Sequence, residues 1–208
     1  PGSPGLVKDV EEALKIANDI SYPVLLKSVF GGGGRGIRLV NNDKELREGF
    51  ETVTSESISA VGKSAIIVEK YLQKTRHIEY QMARDKHGNA VHIFERECSI
   101  QRRNQKLIEQ TPSPIVDQET RDRIGELVVK AAKAVDYTNL GTAEFLRADN
   151  GEFYFIEINA RLQVEHPITE FVSGLDLVKL QIDIANGEPL PFKQKDLKMN
   201  GYAIECRI

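Results

Sequence analysis

The apolar residues of this chain fall into four segments of helical spacing, set among shorter runs of strand character. Asp9 and Glu12 form a capping box ahead of Val10, Ala13, Leu14 and Ala17, which share one helical face. A second helix starts at Asn42 or Asp43 and runs to about Val53, and the polar residues 55–64 then read as a mobile connection. Asp117 opens a third, with Ile124, Leu127, Val128, Ala131 and Val135 on its buried face. The fourth spans about Asp176 to Ala185, where Asn186-Gly187 stops it and Pro189 follows. Residues 23–27 and 65–72 are strands of buried type. Residues 77–82 and 90–95 flank Asp85-Lys86-His87-Gly88-Asn89 as a hairpin, with His87 solvated at its turn and His92 an ordinary strand residue. Residues 202–208 read as one more strand.

The most informative alternation follows Gly151. Extended chain puts Tyr154, Ile156, Ile158, Ala160, Leu162 and Val164 on one face, and Glu157, Asn159, Arg161, Gln163 and Glu165 on the other. That unbroken polar row, able to bind metal, anion or proton, looks like one wall of a site. Residues 142–147 form the preceding strand, joined to it by a four-residue loop, Ala148-Asp149-Asn150-Gly151. This register sets Arg147 opposite Glu152 and Glu144 opposite Phe155, leaving Glu157 a diagonal, same-face neighbour of Glu144 about 7 Å away. Two such carboxylates repel unless one is protonated or a cation lies between them. With oxygen ligands alone, Mg²⁺ completed by phosphate oxygens and water is the natural occupant. A solvated hairpin with incidental glutamates is the competing reading.

A glycine run, Gly31-Gly32-Gly33-Gly34-Arg35-Gly36, follows the first strand and its terminal Lys27. It matches G-x-G-x-x-G literally, but strand-like Ile37-Arg38-Leu39-Val40 follows where a dinucleotide fold needs a helix. A Walker loop would need Lys-Ser or Lys-Thr where Ile37-Arg38 stands. Strand, glycine turn, strand remains: a flap whose backbone N–H groups close over phosphates, with Lys27 and Arg35 supplying charge. Residues 97–106 are densely polar without a period, and matter only if Lys106 reaches the carboxylate hairpin.

Composition narrows the class. The 208 residues suffice for one generous domain or two small subdomains, with 40% hydrophobic and 28% charged residues and a net charge of −3. No general polyanion partner is indicated, and no apolar run approaches membrane-spanning length. Cys98 and Cys206 suit a reducing compartment. Both ends read as cut, so a fragment of a larger protein is expected.

Glu95-Arg96-Glu97-Cys98-Ser99-Ile100-Gln101-Arg102-Arg103, then Glu157-Ile158-Asn159-Ala160-Arg161-Leu162-Gln163-Val164-Glu165-His166-Pro167, then Glu205-Cys206-Arg207-Ile208 resemble the motifs of biotin carboxylases. The resemblance covers essentially the whole chain, in order. It implies an α+β, ATP-grasp fold over residues 1–208: a glycine-flap lid at about 15–72 and a larger antiparallel-sheet core at about 73–208. It further implies ATP- and bicarbonate-dependent carboxylation of biotin through carboxyphosphate. Lys27 would meet the ATP phosphates, with Gly33 and Gly34 in the flap, Glu69, Lys70 and Leu72 at the adenine, and His77 and Gln101 around ribose and phosphates. Glu144 and Glu157 would hold Mg²⁺ or Mn²⁺ with Asn159 beside them. Lys106, Arg161, Gln163 and the Val164 backbone would bind bicarbonate, Glu165 would be its base, and Arg207 would stabilise carboxyphosphate and the biotin enolate.

Departures refine this. Asn104 stands where many members have histidine, which leans toward an acyl-CoA (propionyl- or acetyl-CoA) carboxylase. The family's N-terminal subdomain and most of the part beyond Arg207 are absent, as is an Ala-Met-Lys-Met biotinylation motif. Biotin would therefore arrive on a separate carrier segment or chain. Expected partners are a biotin carboxyl carrier domain, a carboxyltransferase subunit and a second copy, in cytoplasm or, in a eukaryote, mitochondrial matrix. A carbamoyl-phosphate synthetase half, against which Arg207 in its Glu-Cys-Arg setting argues, or a nucleotide-binding module inactive as a fragment are the alternatives.

Overall fold

The computed structural model describes residues 1–29, 36–103 and 105–208, side chains at 60 and 61 excepted. These form two compact units, Pro1–Gln73 and Lys74–Ile208. The first holds a three-stranded antiparallel sheet of order β2-β1-β3, built from β1 (Val24–Ser28), β2 (Ile37–Val40) and β3 (Ile66–Lys70). Helices α1 (Val10–Ile20) and α2 (Asp43–Val61) cover it, burying Ala13, Leu14, Ala17 and Leu46 with Leu26, Ile66 and Val68. Full burial of a side chain such as Leu26 contributes about 1.5–3 kcal/mol.

Asp9 caps α1 by accepting from the Glu12 N–H at 2.9 Å, while the Glu12 carboxylate accepts from the Lys8 N–H at 2.8 Å. Helix α2 continues to Val61 and ends on Gly62 at φ 75°, so residues 55–61 are helix and not a connection. Buried Ser57, whose hydroxyl donates to the Lys63 carbonyl at 3.0 Å, occupies a position that pattern reading expects to be apolar. Strands β1 and β2 form the expected hairpin, but Gly31 to Arg35, including Gly33 and Gly34, lie outside the described residues, as does Asn104.

The second unit is a six-stranded antiparallel sheet of order β8-β7-β4-β5-β6-β9. Its strands are β4 (Arg76–Arg84), β5 (Ala90–Arg102), β6 (Gln105–Thr111), β7 (Asn139–Arg147), β8 (Phe153–Asn159) and β9 (Ala203–Cys206). Residues 97–106, read as an aperiodic loop, are instead the β5–β6 hairpin; bulges at Glu97/Ile100 and Ile100/Gln101 erase the period-two signal. Helix α3 (Gln118–Ala134) packs Ile124, Val128 and Ala132 on Ile78, Tyr80 and Met82. Its buried stripe is rotated from the expected one, leaving Leu127, Ala131 and Val135 exposed. Arg121 and Gly125 take the buried face: the guanidinium binds the Glu95 carboxylate at 2.6 and 2.8 Å, and Gly125 lies against the His92 ring. Helix α5 (Leu177–Ala185) lies where it was expected and is capped by Asp176. The unanticipated α4 (His166–Ser173), with Pro167 in its first turn, starts directly after the expected alternation ends at Glu165.

Gly125 yields a test. A Cβ there would sit 2.5–2.6 Å from three atoms of the His92 ring, which is buried and flanked by Tyr80 and Phe94. Alanine's helix propensity favours the substitution by up to about 1 kcal/mol, whereas overpacking costs about 1–3 kcal/mol. Gly125→Ala should therefore lower stability by about 1–2 kcal/mol in urea unfolding. An unchanged or raised midpoint would show that the ring yields freely.

Candidate active site

Register across four adjacent strands sets four charged residues in one row. Arg96 on β5 stands opposite Glu79 on β4, Glu79 opposite Glu144 on β7, and Glu144 opposite Glu157 on β8. The two hairpin carboxylates are therefore direct partners, not diagonal ones. The turn shifts the pairing so that Arg147 meets Phe153, and a bulge between Glu144 and Phe145 moves Glu144 from the expected Phe155 to Glu157. A second row carries Gln81, Thr142 and Asn159. On β4, His77, Glu79 and Gln81 turn to this face because Ile78, Tyr80 and Met82 turn to the core.

Lys106, on β6, reaches these carboxylates. Its ammonium donates to Glu144 Oε1 at 2.8 Å, to Glu165 Oε1 at 2.7 Å and to Glu79 Oε2 in a still shorter contact. Burial works against its charge, but the surrounding carboxylates win and its pKa rises above the usual lysine range. Glu144 responds in the opposite direction. Burial would raise its pKa, yet the His77 ring, 3.2 Å away, and the Lys106 charge hold it well below the usual carboxylate range. Glu165 is likewise lowered, with burial opposed by Lys106. Both are ionised at neutral pH.

The polar row after β8 is not a strand. The chain leaves the sheet at Asn159 and turns into α4, so Val164 is exposed instead of packed while Gln163 and Glu165 are buried. Gln163 donates to Glu144 Oε1 at 2.9 Å, as does Asn159 at 3.0 Å. Glu165 stands at the N-cap of α4 without capping it. Its second oxygen accepts from Arg207 Nη2 at 2.9 Å. Arg161 is exposed and, among the described residues, bonds near its own segment, to Asn159 Oδ1 at 3.3 Å and the Leu162 carbonyl at 3.4 Å.

His77 Nε2 lies 3.2 Å from Glu144 Oε2, and its Nδ1 lies 3.2 Å from Gln101 Nε2. Glu144 and Glu157 are direct partners across β7 and β8, and their carboxylates are the oxygen donors a hard divalent cation takes; Asn159 turns its amide nitrogen to Glu144 and its oxygen to Arg161. A cation here would share Glu144 with Lys106. In the first unit, Lys27 pairs with Glu69, Lys70 donates to the Ser21 and Tyr22 carbonyls at 2.9 and 3.1 Å, and Leu72 is half-buried. Sequence reasoning passed over Glu79, Arg96 and Glu109. The signal for Glu79 was present in the alternation of residues 77–82. Glu109, fully buried on β6, lies 2.8 Å from Arg207 Nε, and burial pushes its pKa up.

Residues 1–193 match the family model described as carbamoyl-phosphate synthase L chain, ATP binding domain. The 2-oxoglutarate carboxylase small subunit of Hydrogenobacter thermophilus is 53% identical over 208 residues, 100% of this chain and 44% of that protein. The mitochondrial propionyl-CoA carboxylase alpha chain of Homo sapiens is 51% identical over 100% of this chain and 29% of its own length. The chain thus spans less than half of either relative. A crystal structure of the biotin carboxylase domain dimer of the Hydrogenobacter enzyme, in complex with MgADP, ADP and bicarbonate, superposes with a TM-score of 0.96 at 53% identity, covering 100% of this chain and 46% of that one. The α+β, ATP-grasp architecture expected from the motifs is shared with these neighbours. The chain belongs to the family of the carbamoyl-phosphate synthase L chain ATP-binding domain, and within it is homologous to the biotin carboxylase subunits of biotin-dependent carboxylases.

Proposed function

We propose that this chain is the ATP-grasp domain of a biotin carboxylase, which uses ATP and bicarbonate to carboxylate biotin carried on another segment or chain. The observation that carries the reading is Glu165, an ionised carboxylate held between Lys106 and Arg207. Bicarbonate is an anion and a weak nucleophile, so it needs cations to bind it and a carboxylate to take its proton. Paired with two cations, Glu165 is a poor base. An anion entering between them would draw Lys106 and Arg207 to itself and restore that basicity. Lys106, Arg161, Gln163 and the Val164 N–H are the proposed bicarbonate ligands.

A bicarbonate oxygen then bonds to the γ-phosphorus of ATP as the bond to ADP breaks. Carboxyphosphate cleaves its C–O bond to give CO₂ and phosphate, which takes the biotin N–H proton. Arg207 would stabilise these anions. In the first unit, Lys27, Glu69, Lys70 and Leu72 are retained as nucleotide residues, and His77 and Gln101 in the second. Glu144, Glu157 and Asn159 would hold Mg²⁺, which supplies charge neutralisation on the phosphates. The relatives named above differ in acceptor at almost equal identity, so the lean to an acyl-CoA acceptor rests on Asn104 alone.

The complete protein should cleave ATP only when bicarbonate is present, faster with biotin. Ammonia-dependent, biotin-independent turnover would instead favour a carbamoyl-phosphate synthetase half. Mg-ATP binding without turnover would leave a nucleotide-binding module. Glu165→Gln should lower kcat by about 100-fold or more, the scale of a general base, with little loss of ATP affinity. Equal losses in both would remove Glu165 from the role of base.

Charge gives a second expectation. Glu144 and Glu165 have folded-state pKa values below their unfolded ones, so their stabilisation is present above about pH 4.5 and lost as pH falls through the folded values. Lys106→Met leaves those buried carboxylates with less neutralising charge. It should destabilise by about 3–5 kcal/mol near neutral pH, and by less near pH ~4, where protonation relieves the excess negative charge. Denaturant unfolding at both pH values measures this, and an equal loss at each would mean that packing, not charge, is Lys106's contribution.

A further inference from the structure

Arg96 is completely buried, and each of its five N–H donors meets an acceptor. Nε donates to Glu79 Oε1 at 2.6 Å. Nη1 donates to Gln81 Oε1 at 2.8 Å and Thr169 Oγ1 at 2.9 Å, and Nη2 to Thr142 Oγ1 at 3.3 Å and Gln163 Oε1 at 3.0 Å. These partners come from β4, β7, α4 and the turn before α4. Two of them are two-ended. Glu79 gives one oxygen to Arg96 and the other to Lys106. Gln163 accepts from Arg96 through its carbonyl, which fixes its amide so that Nε2 points at Glu144.

We propose that Arg96 is the positioning residue of the bicarbonate site, setting the place of Lys106 through Glu79 and the orientation of Gln163, and so the spacing of two anion ligands. The inference rests on the preceding reading of Lys106 and Gln163 as bicarbonate ligands. Arg96 itself touches no reactant. Lysine cannot substitute, since three donors on a flexible stem do not satisfy five acceptors. Another buried arginine, Arg121, makes a useful contrast: it binds Glu95, Gln118 and the Val116 carbonyl, none of which hydrogen-bonds Lys106 or Gln163 among the described residues.

The test is steady-state ATP cleavage by the complete protein, varying bicarbonate and ATP separately. Arg96→Lys should raise the bicarbonate KM by about tenfold or more, since misplacement of order 1 Å costs up to about 100-fold, while the ATP KM changes far less. Arg121→Lys should lower the unfolding midpoint without moving the bicarbonate KM. In a double-mutant cycle, Arg96→Lys added to Gln163→Ala should cost much less than it does alone. If Arg96→Lys does not fold, Thr169→Val removes one acceptor and should still raise the bicarbonate KM a few-fold relative to the ATP KM. Equal changes in both KM values, a bicarbonate defect in Arg121→Lys as large as that in Arg96→Lys, or fully multiplicative effects in the cycle would each overturn the proposal. Bicarbonate-independent turnover in the unmodified protein would overturn the reading beneath it instead.

Discussion

The second unit depends on one constraint: three carboxylates, Glu79, Glu144 and Glu165, are buried around a single ammonium. Any of them alone in that position would protonate or pull the sheet apart. Lys106 neutralises from above, Arg96 from within the sheet row and Arg207 from the β9 side, so buried positive and negative groups nearly balance. The strand order places β6, which carries Lys106, beside β5, which carries Arg96, and β9 delivers Arg207 beyond β6. Breaking either side of this balance leaves an uncompensated buried charge, which costs far more than an exposed pair contributes.

That balance is also what makes the site responsive. Lys106 and Arg207 pair with glutamates, and Lys106 holds Glu144 and Glu165 ionised. On the proposed reading, an entering anion would compete for the same N–H donors, and each donor it took would leave a carboxylate more basic than before. Binding and base activation would then be one event.

Legibility followed the range of the physical signal. The start of α1, read from its Asp9–Glu12 capping box, and both ends of α5, the last stopped by Asn186-Gly187, were legible because such signals act over a few positions. The shared face of Glu144 and Glu157 was visible in local alternation, but their register was not, since the bulge beside Glu144 has no residue signature. The hairpin holding Lys106 was hidden by bulges, and α4 by a turn that happens to preserve inward positions at Gln163 and Glu165. Arg96 was unreadable as a site residue because its partners lie 15 to 73 positions away, and only the folded sheet gathers them.

The motif Glu95-Arg96-Glu97 shows why a family signature is not the same thing as a site. Successive residues of β5 face opposite ways. Arg96 enters the charged row, whereas Glu95 and Glu97 turn to the other side. There Glu95 binds Arg121 and the Ser113 N–H, and Glu97 binds Ser113 Oγ and Arg76. Those two glutamates fasten β5 to the 112–116 turn and to α3. They hold the strand at the height that lets Arg96 reach Glu79 on one side and α4 on the other. Two of the three residues of this motif fasten the strand to its neighbours, and the third, Arg96, faces the charged row.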